Sequence, residues 1–115
     1  MHAQLLLHEL LRKICPTIHA KRLNTLLAAV QTLSAGAKAT VTSLGRGLAG
    51  ETYDKHKIKR IDRLLSNGHL YQECHLIYKN LTQLVLRGLT EVIVVIDWSP
   101  LCADQSWQLL RARFL

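Results

Sequence analysis

A chain of 115 residues with 49% hydrophobic and only 5% aromatic side chains holds enough apolar material for about one packed domain. Lys plus Arg number 15 against 8 Asp plus Glu, a formal charge of +7. The expected partner is therefore a polyanion, nucleic acid before anionic membrane, although a generic basic protein has the same balance. No apolar run is long enough to span a membrane. The opening MHAQLLLHELLRKI carries His8, Glu9, Arg12 and Lys13 and is no secretory leader core. Cys15, Cys74 and Cys102 lie far apart with no CxxC, as thiols in a reducing compartment do, so a cytoplasmic location is expected.

Residues 3 to 14 read as a first helix, with Leu5, Leu6, Glu9, Leu10 and Lys13 at helical spacing and Cys15-Pro16 as its stop. Thr17 is the expected cap of a second helix through IHAKRLNTLLAAVQTL. Its buried face is Ile18, Leu23, Leu26, Leu27, Val30 and Leu33, and SAGA ends it. A shorter helix, TSLGRGL from Thr42, turns Leu44 and Leu48 inward and breaks at Ala49-Gly50. TYDKHKIKRIDRLLSN gives a fourth, stopped by Asn67-Gly68, and LYQECHLIYKNLTQLVLR a fifth that runs to Gly88. There the helical period gives way to a β-branched run, Val92 to Ile96, that ends on Asp97-Trp98-Ser99-Pro100. Residues 1–88 are thus expected to form a helical domain, and residues 89–115 to belong to another architecture.

The fourth helix holds the densest charge. At roughly 100° per residue, Ile58, Ile61, Leu64 and Leu65 gather on one side, and Lys55, His56, Lys59 and Arg63 fall opposite. Arg60 lies beside that row and Lys57 at the apolar margin. A row of cations at one-turn spacing suits the phosphates along a DNA groove. The short helix before it makes the two a helix-turn-helix-like pair. A merely solvated face is the plain alternative. Membrane-surface binding is disfavoured, because the helix has no exposed Trp or Phe.

Asp97 closes a strand apolar enough to be buried, where a carboxylate is costly unless a metal or hydrogen bonds compensate it. Its position at the end of a strand makes it a candidate catalytic or metal-binding residue. One carboxylate supplies only part of a hard-cation site. Otherwise Asp97 starts a turn or caps SPLCAD, and Asp104 reads as a turn residue of that kind.

Taken in order, CPTIHAKRLNTL, KHKIKRIDRLLSNGHL and VIVVIDWSPL resemble the N-terminal part of bacterial insertion-sequence transposases of the DDE type. The resemblance is to the branch of the tetracycline-resistance transposon's cut-and-paste enzyme. It implies a helical domain that grips double-stranded transposon ends, with Lys55, His56, Lys59, Arg60 and Arg63 the matching basic residues. It further implies a ribonuclease H-like domain whose first strand carries the first catalytic Asp, here Asp97. With a second Asp and a Glu, that residue would hold two Mg²⁺ ions that activate water or a 3′-hydroxyl for attack on phosphodiesters. Eighteen residues follow Asp97, and SWQLLRARFL matches the start of the next strand. None of Glu51, Asp54, Asp62, Glu73 or Glu91 can take the missing carboxylate roles by motif. The expected fold is accordingly mostly α, a helical DNA-binding domain followed by the truncated first strands of an α/β ribonuclease H-like domain. The expected function is that of a transposase-family chain that binds transposon-end DNA and is inactive alone. The rival is a stand-alone helix-turn-helix regulator, or an inhibitor pairing with full-length transposase or with itself.

Overall fold

The computed structural model describes residues 2–115. The described residues are mostly helical, with five helices followed by a two-stranded antiparallel hairpin. The helices are α1 (His2–Ile14), α2 (Ala20–Ser34), α3 (Val41–Gly47), α4 (Asp54–Leu65) and α5 (Gly68–Leu86); the strands are β1 (Val94–Pro100) and β2 (Gln108–Phe114). Two compact units result, Met1–Thr82 and Gln83–Leu115.

Each boundary has a local cause. Cys15 is the last residue to bond back into α1, through its N–H to Leu11 O, before Pro16 halts the helix. The cap of α2 is His19, not Thr17: its Nδ1 accepts from Lys21 N at 3.3 Å. Ile18 and His19 therefore precede the helix. At the other end of α2, Gly36 takes φ +100°, a conformation that costs glycine no Cβ clash. It donates to Leu33 O while Ala37 donates to Thr32 O, both at 3.0 Å, which closes the helix with a Schellman motif. Thr40 caps α3 by accepting from Ser43 N at 3.2 Å. Asn67 caps α5 by accepting from His69 N at 2.9 Å, so one residue both follows α4 and starts the next helix.

In the helical unit α2 serves two cores. On one side Ala29 packs with Leu44 and Leu48 of the α3 segment and with Ile61 and Leu64 of α4. On the other Leu23 joins Leu11, Cys15 and Ile18, with Leu76, Ile77 and Leu81 of α5 against them. Ile61 is wholly buried. α3 approaches both of its neighbours closely at glycines. A Cβ at Gly45 would lie 2.5 Å from Ile58 Cα of α4, and one at Gly47 2.8 Å from Thr32 Cγ2 of α2.

In α1 the inward residues are Leu7, Leu11 and Ile14, while Leu5 and Leu6 are exposed. Leu33 and Leu65, expected on the buried faces of α2 and α4, are exposed, although Thr32 and Leu64 beside them in the same last turns are buried.

β1 and β2 are joined by residues 101–107. In that loop Asp104 accepts from Ser106 N at 3.1 Å and from Ser106 Oγ at 2.8 Å. The register pairs Val94 with Phe114, Ile96 with Ala112 and Trp98 with Leu110 on one face, and Val95 with Arg113 and Asp97 with Arg111 on the other. Asp97 is therefore not at the last rung. It is the central residue of β1, because the strand starts at Val94 and continues through Ser99 and Pro100.

Candidate nucleic-acid interface

The exposed side of α4 follows its helical period. Lys55, His56, Lys59, Arg60 and Arg63 are exposed, Lys57 and Ile58 are half-buried, and Ile61 and Leu64 are buried. The buried pair docks the helix on α2 and α3, which leaves the opposite side free to carry charge.

Four of those five residues, His56, Lys59, Arg60 and Arg63, form one wall of a cleft of about 450 Å³. The other wall is the start of α2, with His19, Lys21, Arg22 and Thr25. Lys55 does not line the cleft but extends the basic row beyond it on the first turn of α4. Among the described residues no acidic side chain lines the cleft.

Several cations are held in place. Arg60 Nε donates to Thr25 Oγ1 at 3.2 Å, bridging the two walls. Lys59 Nζ pairs with Asp62 at 2.9 Å, an exposed i,i+3 contact that leaves the ammonium within reach of other anions. Arg22 is gripped from α5: its Nε donates to Glu73 Oε2 at 2.6 Å and its Nη2 to Glu73 Oε1 at 2.5 Å. Both side chains are largely buried, 16% and 13% exposed. The hydrogen bonds that Arg22 donates to Glu73 raise the Arg22 pKa above its ordinary value; desolvation opposes this and the carboxylate's charge adds to it.

The contribution of α2 was not read from the sequence, yet a signal was present. Lys21 and Arg22 occupy its first turn, which has no acidic residue, and a helix N-terminus disfavours cations. Two cations placed against the macrodipole, over the N–H groups that themselves attract anions, suit a site whose occupant is negative.

Asp97 belongs to the hairpin unit and lies in its mixed face, 63% exposed, with its Oδ2 accepting from Arg111 Nη2 at 3.2 Å. Exposure and the Arg111 cation supply the compensation that a buried carboxylate would have lacked. Among the described residues no three His, Cys, Asp or Glu side chains are grouped to hold a metal ion. One carboxylate beside a guanidinium does not make the oxygen cage that Mg²⁺ needs, so no catalytic step is derived through a metal here. Among the described residues no helix is long and apolar enough to cross a membrane.

No family model, curated protein or solved structure matches the chain.

Proposed function

We propose that the chain binds duplex DNA through the α2–α4 cleft and the adjoining α4 row, as a member of the DDE transposase family acting on transposon ends. The observation that carries the DNA reading is the cleft itself: cations from two helices converge on it and no carboxylate intervenes. That arrangement attracts a phosphate backbone, and a straight row along α4 matches the repeating charge of a duplex. The narrower assignment to transposases rests on the succession of the basic helix, RLLSNGHL and the strand carrying Asp97. In that reading β1 and β2 are the first strands of a ribonuclease H-like sheet, Asp97 is the first of its catalytic carboxylates, and Mg²⁺ is the cofactor of the completed site. The close packing of α3 on α4 favours a second reading, a helix-turn-helix regulator that needs no catalytic unit.

The test is duplex binding by fluorescence anisotropy over a salt series. Four phosphate contacts would give a log–log slope of about −3.6, since each contributes roughly 0.9. Preference for a transposon-end sequence over random duplex supports the transposase assignment, and preference for an unrelated palindrome supports the regulator. Absence of binding at low salt overturns both.

A further inference from the structure

We infer that Arg22 is a phosphodiester-binding residue of the cleft and that Glu73 is its positioning residue. The inference rests on the DNA reading above and adds to the α4 row a rigid contact from a different helix. Arg22 lines the cleft, and Glu73 holds it from α5 without lining the cleft itself. A guanidinium has five N–H donors. Glu73 takes Nε–H and one Nη2–H, the side fork of the group. Three N–H are left over, and the end fork among them, one Nη1–H and the second Nη2–H, matches two oxygens of a phosphate. The carboxylate thus fixes the plane of the guanidinium before any ligand arrives, so little rotamer freedom remains to be lost on binding. A tie that only joined α2 to α5 would not require its cation to be among the lining residues of the basic cleft.

Two variants separate these roles, because charge counting predicts no change for one and tighter binding for the other, whereas positioning predicts weaker binding by both. Arg22→Lys keeps the charge but loses the fork. Its affinity for a random-sequence duplex should fall about tenfold with an unchanged salt slope, as expected when charge-assisted hydrogen bonds but no net charge are lost. Glu73→Gln raises the net charge by one, which alone would tighten binding. The inference instead expects severalfold weaker binding, as the guanidinium loses its fixed plane. Amide spectra establish that each variant is folded, and Arg22→Lys, which can still pair with Glu73, decides the matter if Glu73→Gln does not fold. Parental affinity in Arg22→Lys, or tighter binding by folded Glu73→Gln, overturns the inference.

Should the parent chain fail to bind duplex, the DNA reading falls, and inorganic phosphate still tests Arg22. Its Nε–H, protected by Glu73, gives a side-chain NMR signal that should shift on phosphate addition in the parent. A signal that does not move overturns the inference independently of DNA.

Discussion

Gly45→Ala tests how the basic helix is held. The added Cβ would stand 2.5 Å from Ile58 Cα and 2.7 Å from both Ile58 N and Cγ1. Two of those three atoms are backbone and cannot rotate away, so α3 and α4 must separate. Overpacking of this kind costs about 1–3 kcal/mol, and a backbone clash belongs at the upper end. Replacing a helical glycine by alanine returns about 1 kcal/mol of intrinsic propensity. The net expectation is a loss of about 2 kcal/mol, or roughly 10 °C in melting temperature for a unit of this size. Thermal melting followed by far-UV circular dichroism reads it directly. Duplex affinity, measured well below the transition, should also fall, because α4 forms one wall of the cleft. A melting temperature equal to or above the parent's would show that α3 and α4 do not pack so closely, and that the basic helix is not seated through Gly45.

Asp97→Asn should change stability by less than about 1 kcal/mol, since an exposed ion pair such as Asp97–Arg111 contributes little; a larger loss by denaturant titration would mean that the carboxylate is more deeply engaged. The Asp104 carboxyl is held below its ordinary value of 3.8, chiefly by the Ser106 hydroxyl and then by the Ser106 N–H. Its contribution to the loop is therefore present above the ordinary value and is lost as pH falls through the lowered one. Ser106→Ala should move the carboxyl resonance titration upward, and an unmoved titration would refute the assignment. A chain ending at Thr82 should retain a cooperative melt, because both helical cores lie within Met1–Thr82. Loss of that transition would show that the hairpin unit is needed for folding.

The sequence disclosed most about α4. Its period sets Ile61 and Leu64 inward and Lys55, His56, Lys59 and Arg63 outward, and the structure keeps that division. The sequence could not show that α2 closes the other side of the cleft, because Lys21 and His56 are brought together by tertiary packing and not by spacing. Period alone also does not say how wide the covered face is: Leu33 and Leu65 fit the apolar stripe yet are exposed, while Thr32 and Leu64 beside them are buried. The β-branched run correctly marked a change to strand, but it located the end of β1 too early. Trp98, Ser99 and Pro100 continue the ladder opposite Leu110, Leu109 and Gln108. The partner of Asp97 was hidden for the same reason, since Arg111 meets it through a register set by the intervening loop.

The central claim is that DNA binding resides in the cleft and its row and does not arise from net charge spread over the surface. Two quadruple variants of equal charge test it most directly: Lys55, Lys59, Arg60 and Arg63 to Ala, and Lys13, Lys38, Lys79 and Arg87 to Ala, all exposed positions. Both remove four cations from the same chain, so overall charge predicts the same loss for each. The account predicts that the first, shown folded by its melting transition, loses most duplex affinity and about 3.6 of log–log salt slope, while the second stays close to the parent. Equal losses in the two variants would contradict it.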